Sequence, residues 1–325
     1  MMDILVVGGA GYIGSHCCKM LKSKGYNPVV LDNLTTGFRS LVKWGDFAEG
    51  DIRDRKLLGD LFGRYSIRAV MHFAACCLVG ESVVNPYKYY ENNVCATLCL
   101  LDVMREFGIS NFIFSSSAAT YGNPLEVPIS ESHVQNPINP YGRSKLMIEQ
   151  ILEDFDRAYG SRYVSLRYFN AAGADPDGET GELHDPETHL IPLVFQTALG
   201  LRERLEVYGT DYPTPDGTCL RDYIHVMDLA LAHVLALEWL LDGKPSEMFN
   251  LGNERGFSVR EIIEKAGRVC GRTIRVHEGP RRSGDPAELV ASSSKIKTTV
   301  GWQPQYGDIE DILTTAWRWH SMKRG

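Results

Sequence analysis

Short apolar runs alternate with amphipathic stretches through the first half of the chain. Ile4-Leu5-Val6-Val7, Val29-Val30-Leu31, Ala69-Val70-Met71, Asn111-Phe112-Ile113-Phe114 and Tyr163-Val164-Ser165-Leu166 each read as a buried strand. Helical stretches lie between them, at Tyr87 to Phe107 and Lys145 to Tyr159. Strands that are apolar throughout, rather than alternating, are covered on both faces, so the pattern predicts a doubly wound, parallel α/β sheet. After Asn170 the texture changes. Residues 171–189 are rich in Gly, Asp, Pro and Glu and read as loop. Helices follow around Leu190–Leu199 and Asp228–Leu241, with a Pro- and Gly-containing stretch, Gly209–Gly217, between them. The expected division is 1–170 for the sheet domain and 171–325 for a smaller mixed α/β domain. Part of 222–242 is expected to pack back on the first. No internal repeat interrupts this reading.

Composition narrows the function classes. Of 325 residues, 44% are hydrophobic and 23% charged, ordinary values for a globular protein. The 34 Lys and Arg against 41 Asp and Glu leave a net charge of −7 with no basic cluster, so no nucleic acid is expected as partner. The longest apolar stretch, Ala69 to Val79, holds eleven residues including His72, too few to span a bilayer. The start Met1-Met2-Asp3 has neither the basic nor the long apolar region of a secretory signal. Eight cysteines, at 17, 18, 76, 77, 95, 99, 219 and 270, match no zinc spacing, so free and mostly buried thiols in a reducing compartment, the cytoplasm, are expected.

Gly9-Ala10-Gly11-Tyr12-Ile13-Gly14, with Gly8 in front, fits G-x-G-x-x-G. It directly follows the first strand and opens a helix, the context in which such a loop lets backbone N–H groups approach a pyrophosphate. Asp32 ends the second strand eighteen residues after Gly14, where a carboxylate accepts ribose hydroxyls and repels a 2′-phosphate. The cofactor expected is therefore NAD on a Rossmann-like domain.

Asn139-Pro140-Tyr141 begins a helix, with Asn as N-cap and Pro first. Tyr141 and Lys145 then share a face, and an ammonium and a cationic nicotinamide beside the phenol are expected to favour its ionised form. Ser115-Ser116-Ser117 follows a strand, at the carboxyl edge where such sheets place ligands.

Taken together, these motifs resemble the UDP-glucose (UDP-galactose) 4-epimerases of the extended short-chain dehydrogenase/reductase family. The resemblance is carried by residues 8–16, 32–34, 50–52, 72–75, 79–82, 89–94, 115–118, 140–145, 167–170, 189–192, 221–226 and 281–285, essentially end to end. It implies reversible epimerisation at C4 of a UDP-hexose through a 4-keto sugar, with Tyr141 as base, Ser117 as proton relay and Lys145 on the nicotinamide ribose. Gly8, Gly11, Tyr12, Ile13, Gly14, Asp32, Asn33, Leu34, Thr35, Thr36, Gly37, Asp51, Ile52, Phe73, Ala74, Ala75, Cys77, Asn92 and Phe169 would join those three around NAD. Asn170, His189, Leu190, Arg221, Tyr223, Arg282, Asp285 and Leu289, with Ser117 and Tyr141, would hold the UDP-sugar, and a homodimer is implied.

Some members carry lysine where Cys77 stands, which bears on the tightness of NAD binding. Leu289 is intermediate in size at the position bordering the sugar's C2 substituent, so a UDP-N-acetylhexosamine or UDP-pentose remains an alternative substrate. A sugar-nucleotide dehydratase is disfavoured because Ala118 and Ala119 after Ser117 have no proton to give. A non-catalytic NAD sensor would need the glycine loop but not Ser117, Tyr141 and Lys145. His184 and His189 flank acidic residues, but two histidines with no third ligand make a weak metal site, and none is expected.

Overall fold

The apolar runs of the first half are parallel strands in the computed structural model, which describes residues 1–282 and 285–322. They are β1 (Met2–Val7), β2 (Tyr26–Asp32), β3 (Asp46–Glu49), β4 (Ile67–His72), β5 (Asn111–Ser115) and β6 (Arg162–Tyr168). Shorter strands follow: β7 (Asn170–Ala172), β8 (Leu205–Tyr208), β9 (Leu220–His225), β10 (Glu247–Leu251), β11 (Gly256–Ser258), β12 (Val276–Gly279) and β13 (Glu288–Leu289). The helices are α1 (Tyr12–Ser23), α2 (Arg55–Arg64), α3 (Val79–Val84), α4 (Pro86–Tyr89), α5 (Ala96–Glu106), α6 (Pro140–Tyr159), α7 (Leu190–Ala198), α8 (Val226–Leu241), α9 (Val259–Cys270), α10 (Ser294–Val300) and α11 (Ile309–Met322).

Seven parallel strands form the main sheet in the order β10-β6-β5-β4-β1-β2-β3. Successive side chains of a strand face opposite sides. Ile4 and Val6 meet Leu21 of α1, Leu237 of α8 and Ile296 of α10 in one core, while Leu5 and Val7 meet Leu58 of α2, Leu100 of α5 and Ile148 of α6 in the other. Helices on both faces are the reason that the strands carry no polar alternation. A third core joins α7, α9 and α11 to Tyr223 of β9 and Leu205 of β8, and defines the second lobe. There β9 is flanked by β11, β13 and β7.

Three sequence expectations need correction. The segment that returns to the sheet is longer than 222–242, because β10 pairs with β6 and adds an edge strand. The helix expected over Tyr87–Phe107 is broken in type, though not in direction, by a π-turn at Tyr90–Cys95 between α4 and α5. Only Cys17, Cys18 and Cys219 of the eight free thiols are buried, and Cys77 and Cys95 are exposed, because the latter lie on a loop and on an outward helix face.

Candidate active site

The glycine loop leaves β1 and closes on itself, with Gly11 N donating to Gly8 O at 3.1 Å. Gly8 has φ +83°, and a Cβ there would stand 2.6 Å from Ala74 N; one on Gly14 would stand 2.3 Å from Gly8 O. Side chains are thus excluded where the loop, the first turn of α1 and the segment after β4 come together. α1 has no side-chain cap and no acid in its first turn, so its N-terminal amides are left for an anion. Asp32 closes the other side. Its carboxylate accepts from Ala10 N at 3.0 Å and Leu34 N at 2.9 Å, and burial pushes its pKa up against those two amides. Gly37 sits against the same carboxylate, where a Cβ would be 2.8 Å from it. The arrangement fits a dinucleotide: a cradle open to a diphosphate and a carboxylate at the end of the neighbouring strand.

Around this cradle, Asn33 donates to Asp51 at 2.9 Å, and the Arg53 guanidinium holds the Asp51 carboxyl well below the usual range. Thr35 and Thr36 continue the same exposed turn toward Gly37, and Ile52 is buried in the core that includes Leu31 and Leu58. Phe73 N and Ala74 N both donate to Val7 O, at 2.8 and 3.2 Å, which holds the start of the segment after β4, the segment that carries Ala75 and Cys77, against Gly8. The Tyr12 side chain is buried and donates to Gly173 O at 2.7 Å.

Asn93, in the 89–94 motif, has a role that the motif alone does not disclose. It is buried, accepts from Cys76 N at 2.8 Å, and donates to Cys76 O at 3.0 Å and Ser144 Oγ at 3.1 Å. Neighbouring Asn92 donates to Asn93 at 3.1 Å. The π-turn is what aims Asn93 at both the post-β4 loop and α6. Thr97, one turn on, bonds Asn93 O at 2.6 Å and the core residue His72 at 2.9 Å.

Three side chains converge at the carboxyl end of β5. α6 starts as expected: Asn139 Oδ1 accepts from Gly142 N at 2.8 Å, and Pro140 stands first. One turn in, Lys145 is buried and donates to Ser115 O at 2.7 Å, with its Nζ 5.9 Å from the centre of the Tyr141 ring. Ser117 caps the short turn Ala118–Thr120 through Ala119 N at 3.1 Å and is near enough to Tyr141 to favour its ionised form. Burial pushes the Lys145 amine down to about 8. At Tyr141, burial pushes the phenol up, the Cys77 thiol adds to that, and only Ser117 opposes it. Low dielectric outweighs what the chain's own groups supply.

A buried network fixes this end of the sheet. Glu149 of α6 accepts from Ser116 Oγ at 2.6 Å and from Arg167 Nη2 at 2.7 Å, and Arg167 also reaches Tyr121 Oη at 2.9 Å. All members are partnered, which rigidifies the serine turn.

The second lobe supplies the rest. Asn170 donates to Asp222 O at 2.8 Å, and Tyr223, next on β9, is buried. Arg221 is ion-paired with Asp285, so two expected substrate ligands hold each other. Arg282 lies over the Tyr208 ring at 4.0 Å. Ser283 and Gly284, between them in sequence, are outside the described residues. Leu289 and Phe169 pack on Ala118, Tyr121 and Ile129, one residue from Ser117. His189 precedes Leu190 at the start of α7, but its Nδ1 faces Glu182 and Glu187, each at 3.0 Å. Glu187 lies between the two histidines in sequence, whereas Glu182 carries no sequence signal, because the loop that folds it beside them has no periodicity.

Comparison with known proteins agrees with this geometry. Residues 4–252 match the model of the NAD dependent epimerase/dehydratase family. A UDP-glucose 4-epimerase of Rhizobium meliloti (strain 1021) is 53% identical over 321 residues, 99% of this chain and 98% of its own. The UDP-glucose 4-epimerase of Brucella ovis, solved in complex with NAD, superposes with a TM-score of 0.96 at 55% identity, over 98% of each chain. That of Stenotrophomonas maltophila, solved with NAD and formylated UDP-arabinopyranose, gives 0.96 at 40% identity, over 100% of this chain and 99% of the other. With a family model spanning most of its length and relatives aligned nearly end to end, the chain belongs to the NAD dependent epimerase/dehydratase family.

Proposed function

We propose that the protein is an NAD-dependent UDP-glucose 4-epimerase, interconverting UDP-galactose and UDP-glucose. The observation that carries this reading is the convergence of Ser117, Tyr141 and Lys145 beside a glycine cradle shaped for a dinucleotide. NAD, when bound, supplies a reversible hydride acceptor at C4 and a positive ring beside the phenol. Tyr141, ionised in that field, takes the proton of the C4 hydroxyl, and Ser117 holds the same oxygen and relays the proton. Lys145 orients the cofactor's ribose from its anchor on Ser115 O. After the 4-keto sugar has turned in the pocket, the hydride returns to the opposite face and Tyr141 gives the proton back, so nothing is consumed overall. Arg221 and Arg282 are the donors suited to the UDP diphosphate, Arg221 exchanging its bond to Asp285 for the substrate. Leu289 borders the sugar, and its moderate bulk leaves room for substituted hexoses and for pentoses.

The chain is read as a homodimer joined through the α4–α5 run and α6, whose outer faces expose Leu98, Phe107, Met147 and Tyr159. Its eight free thiols suit a reducing, cytoplasmic setting. Among the described residues no helix is long and apolar enough to cross a membrane.

NMR of product mixtures from UDP-galactose, UDP-N-acetylgalactosamine and UDP-arabinose, with no NAD added, tests the reading. UDP-galactose is expected to convert to UDP-glucose. Tyr141→Phe is expected to lower kcat by roughly 10²–10⁴-fold with NAD content and fold retained. Turnover that survives this change would reassign the base.

A further inference from the structure

The segment before α7 gathers four ligand-type side chains that the epimerase chemistry does not use. Glu182, His184, Glu187 and His189 bring their ligand atoms within 4.8 Å of one another. Both imidazoles present the same nitrogen. His184 Nδ1 stands 3.2 Å from Glu182 Oε1 and 3.5 Å from Glu187 Oε2, and His189 Nδ1 stands 3.0 Å from an oxygen of each. A tetrahedral zinc with bonds of about 2.0–2.1 Å separates its ligand atoms by about 3.3 Å. The four nitrogen–oxygen separations bracket that edge.

Three further observations set this cluster apart from an ordinary surface ion pair. The two carboxylate side chains are only 4% and 6% exposed, so their charge has been taken out of water. His184 Nδ1 makes no hydrogen bond of acceptable geometry although two carboxylates flank it, which suits a lone pair aimed at a shared centre better than an N–H aimed at an oxygen. The scaffold is also built. Trp319 Nε1 holds Glu182 O at 3.0 Å, and Glu187 Oε1 accepts the backbone N–H of Thr188 at 2.7 Å and of His189 at 2.8 Å, the kind of outer hydrogen bonding that orients metal ligands. The nearby Asp175, Asp177 and Glu179 offer a contrast, since Lys19 Nζ already sits 2.7 Å from a carboxylate oxygen of each. At the histidine cluster, among the described residues, no Lys or Arg ion pair plays that part.

We propose that Glu182, His184, Glu187 and His189 form a closed, four-ligand site for a zinc ion. Two carboxylates and two neutral imidazoles around Zn²⁺ leave no net charge. Two nitrogen and two hard oxygen donors suit zinc among the common divalent metals. With no ligand position left open, the ion is structural. It ties the loop 182–189 to the start of α7, beside Tyr12 at the head of α1, whose ring lies 6.2 Å from that of His184. His189 is then a metal ligand and not a sugar contact.

The test uses untagged full-length protein purified without chelators and analysed by elemental mass spectrometry. About one zinc per chain is expected. After stripping with a chelator, cobalt(II) chloride is expected to give the intense visible bands of a four-coordinate site. Zinc chloride at about 100 times its Kd is expected to raise Tm by about 4 °C. His184→Gln and Glu187→Gln should each abolish the cobalt bands and the Tm rise while far-UV circular dichroism stays native. If stripped wild type takes up neither metal, the four residues are an ion-paired cluster only and the proposal falls. It falls equally if both variants retain stoichiometric zinc.

Discussion

Lys145 works against the fold that holds it. Its amine is fully buried and driven down to about 8 from 10.5, so below pH 8 the native state carries a charge that the unfolded chain keeps in water. Because the folded value is the lower one, the unfolded state binds more protons between pH 8 and 10.5, and stability rises with pH through that window. Lys145→Met, measured by denaturant unfolding of the NAD-free protein, is therefore expected to be more stable than the parent at pH 7, by about 1–3 kcal/mol. The gap should close as the pH approaches 10, and activity should be lost throughout. A destabilised variant would mean that the bond to Ser115 O outweighs burial. Residue identities of this kind were legible in the chain: Tyr141, Lys145 and Ser117 stand out by spacing and position after a strand. The depth to which Tyr141 is buried was not, because burial is set by segments far away in sequence. The partnership of Arg221 with Asp285 escaped for the same reason.

At the scale of elements, the α4–α5 run is the instructive case. Apolar periodicity predicted one helix, and the chain does run continuously from Pro86 to Glu106, but with a π-turn at Tyr90–Cys95. That wide turn decides where Asn93 points. Three hydrogen bonds from Asn93 tie the loop after β4 to α6. Asn93→Ala removes all three, leaving the backbone groups of Cys76 without a protein partner. It is expected to loosen that loop and raise the NAD off-rate by roughly tenfold or more, on about 1–2 kcal/mol of lost positioning. The check is NAD released per chain after gel filtration, and full retention would show that the glycine cradle suffices. By contrast, the start of α6 was legible down to its cap, since Asn-Pro chemistry is local.

At the scale of the molecule, the sheet is not made by the first half alone. α8 and β10 return from beyond residue 170, and Leu229, Leu237, Leu240, Phe249 and Leu251 complete the core on one face of the sheet. Composition beyond Asn170 disclosed a change of texture but not that return, because a strand such as Glu247–Leu251 is short and its pairing with β6 is non-local. A fragment ending at residue 170 is expected to lack near-ultraviolet circular dichroism and to bind an apolar dye, whereas the whole chain unfolds cooperatively. A natively folded fragment would make α8 and β10 dispensable.

The position of β10 also has a consequence for synthesis. β6 is the edge of the sheet until β10 pairs with it, and about 80 residues separate the two. At about 5–20 residues per second, the ribosome leaves the β6 edge, with Val164 and Leu166 along it, open for roughly 4–16 s. During that interval the nascent chain presents an unpaired strand to its surroundings, so the order in which the gene delivers its segments makes this edge the natural point of engagement for a chaperone and the natural point of failure without one.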